Sequence, residues 1–148
     1  MNETDLHFFI DSTINYFDEV TNERAVTGIP YIKDEKPLVL EYTGIIGISG
    51  KRKGSVYITS PEGMLRELAK IILHLEEVTI EEIKDLVGEI ANTISGNVRR
   101  AYGSDFMISV PVVVEGKAKD IRLPEDIKSF VIPLTWRDYK SYLVVCLE

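Results

Sequence analysis

The sequence predicts an α+β fold with helices packed on one face of a mostly antiparallel sheet. Three observations predict it. Apolar residues recur at helical spacing in three segments, β-branched runs bounded by turn residues flank them, and the order is helix, hairpin, two helices, then strands. Helices and strands in separate blocks give a helical layer on a sheet, not an alternating parallel fold. At 148 residues the chain is expected to form one domain, 1–148, large enough to build its own core.

Residues 4–21 read as an amphipathic helix, with Leu6, Phe9, Ile10, Phe17 and Val20 on one side and Asp11, Asn15 and Glu19 between them. Residues 22–37 lose that period and carry Gly28, Pro30 and Pro37, so a connection is expected there, with at most a short extended piece around Ile29–Ile32. Leu38–Ser49 reads as a long strand, and Ser55–Thr59 returns as its hairpin partner across Gly50–Gly54, whose Lys51, Arg52 and Lys53 are expected to be solvated. Ser60-Pro61-Glu62 then signals a helix start, with Ser60 as the N-cap, and Met64, Leu65, Leu68, Ile71, Ile72 and Leu75 facing the core.

The strongest local signal follows. Thr79 and Glu82 stand at capping-box spacing, and Val78 with Ile83 can form a hydrophobic staple, so a helix is expected from Ile80 to about Ala101, ending near Gly103. Met107–Val114 is a strand run broken by Pro111, which predicts an edge position or a bulge, and Glu115-Gly116-Lys117 turns. Lys128–Leu134 and Ser141–Leu147 form a last hairpin across Thr135–Lys140.

Composition excludes several functions. With 24 acidic against 17 basic residues the net charge is −7, so no nucleic-acid or anionic-membrane partner is expected. The single cysteine, Cys146, rules out an internal disulfide framework and lies in an apolar strand as a core residue. No run approaches the ~18–20 apolar residues of a membrane span. The acidic start, Met1 to Asp5, is unlike a signal peptide, so the cytoplasm is the expected location.

On a helical wheel at ~100° per residue, Ile83, Leu86, Val87, Ile90, Ala91, Ile94, Val98 and Ala101 form the buried arc of the 80–101 helix. Asp85, Gly88, Glu89, Asn92, Gly96 and Arg99 fall on the opposite side. Each glycine in an exposed helix interior costs ~1 kcal/mol relative to alanine. The return is either a smooth face that another molecule's backbone can approach, or close packing against a loop of the same chain.

These residues carry a resemblance. Asp85-Leu-Val-Gly-Glu89-Ile-Ala-Asn92 with the distant Pro111 resembles the pattern of the CheC/CheX/FliY chemotaxis phosphatases: Asp or Ser, three residues, Glu, two residues, Asn, and a later Pro. Glu89-Ile-Ala-Asn-Thr-Ile-Ser-Gly96-Asn97, Val110-Pro-Val-Val-Val-Glu-Gly116, Lys128-Ser-Phe130, and Thr43-Gly-Ile-Ile-Gly-Ile-Ser-Gly50 with the following Gly54-Ser-Val resemble the CheX branch. The likeness runs from about residue 38 to the end, and there is one Glu-x-x-Asn helix, as in CheX. Residues 22–37 and the hairpin tip Thr135–Lys140 fall outside the likeness.

The resemblance implies a phosphatase of a phosphorylated CheY-type response regulator. Asn92 would orient the attacking water and Glu89 would pair with the regulator's active-site lysine, while Asp85, Gly88 and Gly96 would serve docking. It implies no cofactor or metal on this chain, Mg²⁺ in the regulator, and a homodimer through the sheet; the apolar run Ser141–Leu147 itself reads as an exposed strand able to pair across a two-fold axis. The chemistry is coherent: phosphoryl transfer responds mainly to positioning and electrostatics, and a carboxamide can hold water without competing as a charged nucleophile. A carboxylate near phosphate needs a cation to meet, which suits a lysine-pairing Glu89. Two alternatives remain open, a non-catalytic adaptor that binds a receiver domain or flagellar component through the same stripe, and a structural dimer module with no such partner.

Other signals carry less. His7 and His74 lack partners at zinc-site spacing; His7 with Asp11 reads as a surface pair. Gly44, Gly47 and Gly50 miss the dinucleotide fingerprint, and Gly50-Lys51-Arg52 is not a P-loop.

Overall fold

A computed structural model describes residues 1–117, 121–124 and 126–148. Helix α1 (Glu3–Thr21) opens on a reciprocal cap: the Asn2 side chain accepts from the Asp5 N–H at 2.9 Å, and the Asp5 carboxylate accepts from the Asn2 N–H at 2.8 Å. Two short pieces, β1 (Val26–Thr27) and β2 (Tyr31–Ile32), lead to the hairpin β3 (Tyr42–Gly50) and β4 (Gly54–Ser60). Helices α2 (Glu62–Leu73) and α3 (Ile80–Tyr102) follow, then β5 (Phe106–Ile108), β6 (Val112–Glu115), β7 (Ser129–Trp136) and β8 (Tyr139–Leu147).

All strand pairs are antiparallel, in the order β1-β7-β8-β4-β3-β5, with β2 also on β7 and β6 also on β3. Period-two alternation divides the strands between two faces. Ile46, Ile58, Ile132, Leu134, Leu143 and Val145 join Phe9, Phe17, Leu65, Ile83, Ile90 and Ile94 in one core beneath the helices. Tyr57, Val131 and Val144 point the other way, under Leu38, Ile121 and Leu123. The predicted helix-on-sheet arrangement is the one observed.

Several local expectations differ. The strand begins at Tyr42, not Leu38; Leu40 N–H is instead held by the Thr59 hydroxyl at 2.7 Å. Ser60 does not cap α2. It ends β4 with its hydroxyl 2.7 Å from that of Ser141 across the sheet, and Pro61 takes the N-cap position without a side-chain bond. His7 sits 3.8 Å from Glu3, one turn N-terminal, not beside Asp11. Strand Ser141–Leu147 is no exposed edge: β8 lies between β7 and β4, and Leu143 to Leu147 are all buried. Its even hydrophobicity marks a strand covered on both faces. Burial also pushes the Cys146 thiol up, in keeping with a core residue.

The basic hairpin tip is only partly solvated. Arg52 reaches back to α1, donating to both Asp5 carboxylate oxygens at 2.7 and 3.2 Å and to the backbone oxygen of Glu148 at 2.6 and 2.8 Å. Tyr102, at the end of α3, donates its hydroxyl to the same Asp5 carboxylate. Burial alone would raise the Asp5 pKa, but hydrogen bonds from Arg52, Tyr102 and the Asn2 N–H, with the guanidinium charge, hold it down from 3.8 to about 2. A depressed carboxylate stabilises the fold fully above its unfolded value and loses that contribution as pH falls through the folded one. The latch is therefore expected to contribute about 2 kcal/mol near neutrality and to lose it between about pH 4 and 2. Chemical denaturation across that range checks this: Asp5→Asn flattens the acid limb, and an unchanged limb would remove the latch from the account.

Candidate functional site

The site is built on α3. Its start is the box read in the sequence: Thr79 Oγ1 accepts from the Glu82 N–H at 3.2 Å, and Glu82 accepts from the Thr79 N–H at 3.0 Å. Val78 and Ile83 are both buried in the helical core. Gly103 ends the helix at φ +95°, a backbone state that glycine adopts without strain. Arg99 and Arg100 occupy the last turn, where cations suit the helix dipole.

Close approach fixes the height of this helix over the sheet. A Cβ on Gly44 of β3 would lie 2.4 Å from the Val87 carbonyl oxygen of α3. Helix backbone thus rests directly on strand backbone. Along the flank, β5 and β6 are two pieces of one edge strand. Ile108 faces Ile48 while Val112 faces Ile45, so three residues, Ser109 to Pro111, oppose two on β3. This is a bulge with one extra residue, placed where the strand lacks a proline N–H. Gly47 N–H donates to the Ser109 hydroxyl and Ser109 N–H donates to the Gly47 carbonyl, both at 2.9 Å.

The bulge corrects one site expectation. Gly88 is buried, and a Cβ there would meet Val113 at 3.1 Å and Pro111 at 3.5 Å. It is the second of the two roles open to a glycine on this face, close packing within the chain. The wheel places Gly88 at the border of the outer arc, and the edge strand climbs over that border. Ala101 departs the other way and is exposed.

The remaining positions face outward. Asp85, Glu89 and Arg99 are exposed; Asn92, Thr93 and Gly96 are half-buried; nothing lies within 4 Å of where a Gly96 Cβ would sit. Thr93, which the sequence reading did not single out, donates its hydroxyl to Glu89 at 3.4 Å, one turn back. Tyr16 of α1 also lies near Glu89: burial pushes its phenol far up, and the Glu89 charge adds to the rise. Neither Asp85 nor Glu89 has an ion-pair partner among the described residues. Beyond Asn92 the face continues into an open groove of about 600 Å³ that ends at Arg99 and Arg100.

A rigid helix thus presents a carboxylate able to take a cation and, one turn on, an amide with both donor and acceptor capacity. Apart from the Thr93 hydroxyl on Glu89, neither side chain has a hydrogen-bond or ion-pair partner among the described residues. Among the described residues no group of three or more His, Cys, Asp or Glu side chains gathers as a metal site, and no helix is long and apolar enough to cross a membrane.

A family model described as "Chemotaxis phosphatase CheX" matches residues 42–135. Among solved structures, a CheC-like superfamily protein from Shewanella sp. PV-4 is 28% identical with a TM-score of 0.86, covering 100% of this chain and 99% of that one. The chemotaxis protein CheX of Vibrio vulnificus is 27% identical with a TM-score of 0.85, covering 98% and 99%. A Borrelia burgdorferi structure of a CheX-CheY-BeF3-Mg²⁺ complex shares the fold at 22% identity and a TM-score of 0.78, covering 97% of each chain. No curated protein matches the chain in sequence.

Proposed function

The chain belongs to the CheX family of CheC-like chemotaxis phosphatases, and from that premise we propose that it hydrolyses the aspartyl phosphate of a CheY-type response regulator. Asn92 enters the regulator's phosphate site and holds the attacking water in line. Glu89 pairs with a regulator lysine. Asp85 and Gly96 flank that pair as docking positions, whereas Gly88 serves the packing of α3. One observation carries the reading: Glu89 is exposed and Asn92 half-buried on a helix seated on the sheet, with Thr93 the only group among the described residues bonded to either side chain. The Borrelia burgdorferi complex with CheY, BeF3 and Mg²⁺ supports the choice of partner. Mg²⁺ belongs to the regulator in this scheme, and both proteins meet in the cytoplasm.

Phosphate lifetime on the cognate receiver domain, with and without this chain, tests the proposal. A shortened lifetime is expected. A receiver that binds yet keeps its phosphate would leave the adaptor reading, and one that does not bind would leave the structural module.

We also propose that the domain, residues 1–148, pairs as a homodimer through the sheet. Because β8 is interior, two edges are left, β5 with β6, where Met107, Val110 and Val112 are exposed, and β1 with β2, where Val26, Ile29, Tyr31 and Ile32 are exposed, Ile29 at 88%; we assign the pairing to the latter. An edge this apolar invites strand pairing. Sedimentation is expected to give a dimer that Ile29→Asp converts to monomer; a mutant that stays dimeric would move the interface elsewhere.

A further inference from the structure

The outer face of α3 changes sign along its length. Glu81, Glu82, Asp85 and Glu89 occupy its first half, and Arg99 and Arg100 close it. Between them Gly96 opens the surface, and the groove past Asn92 runs to Arg99, Arg100, Gly103 and Ile108. Arg99 is held in place there, its Nε donating to the Phe106 carbonyl at 2.8 Å. That bond leaves its two terminal nitrogens without a partner among the described residues. Arg100 is exposed and likewise has no carboxylate within ion-pair distance among them. Arg100 also borders the neighbouring groove between α1 and α3, which it shares with Asp11 and Glu19, neither of them within ion-pair distance of it.

Two adjacent guanidinium groups thus face this groove with no carboxylate within ion-pair distance among the described residues, on a chain of net charge −7. Resting on the phosphatase reading above, we propose that this groove docks an acidic segment of the receiver, outside its phosphate pocket. Glu89 and Arg100 lie eleven positions apart, or ~16 Å along the helix. That exceeds the Debye length of about 8 Å at physiological salt, so the two contacts act as separate electrostatic anchors. Their opposite signs fix direction. A receiver presenting lysine to Glu89 and a carboxylate to the arginines fits one way round, while the reversed pose sets like charges together at both ends. Asn92, between the anchors, then meets the phosphate site in a single orientation.

Titration of the wild-type chain against a CheY-type receiver loaded with Mg²⁺ and beryllofluoride tests this without relying on turnover. Arg100→Glu is expected to weaken binding about 10-fold and to flatten its salt dependence, as loss of a rim charge does. Arg100→Gln should lie between, which guards against an effect of the reversed charge on the helix end. Wild-type binding with unchanged affinity and salt slope in both variants would overturn the proposal and leave the roles of Asn92 and Glu89 untouched. Loss of self-association with receiver affinity unchanged would assign the groove to a second copy, and also overturn it. A wild-type chain that neither binds the receiver nor shortens its phosphate lifetime would remove the phosphatase reading itself, and this docking mode with it.

Discussion

Asn92→Ala is expected to slow dephosphorylation of the receiver by ~100-fold or more, while the chain folds and binds the receiver as before. A factor of ~100 corresponds to ~2.7 kcal/mol of transition-state stabilisation. That magnitude suits the loss of one positioning group in a reaction governed by in-line geometry. Removal should be structurally mild, because Asn92 is half-buried and no hydrogen bond within the described residues depends on it. The loss should fall on turnover at saturating receiver. Glu89→Gln separates the two roles: losing the charge that meets a lysine should weaken binding as well as slow the reaction. Asn92→Asp is a sharper probe than alanine. It keeps size and acceptor capacity but loses the donors and sets a negative charge beside phosphate, so it too should be slow. Rapid turnover in either Asn92 variant would take the water-positioning role away from this residue.

What was legible in the sequence was what local rules control. The capping box at Thr79 and Glu82, the apolar period of α3 and the turn at Gly103 lie within one segment, so the helix and the outward aim of Asp85, Glu89 and Asn92 could be read directly. Pro111 likewise announced a break in an edge strand because its missing N–H is a local fact. Features set by distant partners were not legible. Arg52 looked solvated because Asp5, which pairs with it, stands 47 residues earlier. Ser60 looked like a cap because its neighbours suit one, yet Ser141 claims its hydroxyl. The interior place of β8 follows from strand order, which a run of apolar residues does not encode. Gly88 shows the boundary most clearly: a helical wheel knows the helix axis but not the strand that climbs its flank.

Gly44→Ala is expected to damage stability and catalysis together. The new Cβ would lie 2.4 Å from the Val87 carbonyl oxygen, 2.9 Å from its carbon and 3.3 Å from the Ala91 Cβ. The first two are backbone atoms of α3, so no rotamer change relieves the overlap, and the helix must lift or the strand must bend. Overpacking of this kind costs about 1–3 kcal/mol, and the upper end applies where backbone meets backbone. A chain of this size should then unfold roughly 6–12 °C lower. Lifting α3 also moves Glu89 and Asn92 relative to the docked receiver, and a displacement of ~1 Å can cost ~100-fold in rate. Gly96→Ala provides the contrast. The same methyl on the outer face of α3 itself meets nothing within 4 Å, and alanine is favoured by about 1 kcal/mol in a helix interior, so thermal stability should rise. Thermal unfolding of the two variants decides the matter: a Gly44→Ala midpoint equal to wild type would mean that α3 does not rest on β3 at this point, and the height of the site over the sheet would need another cause.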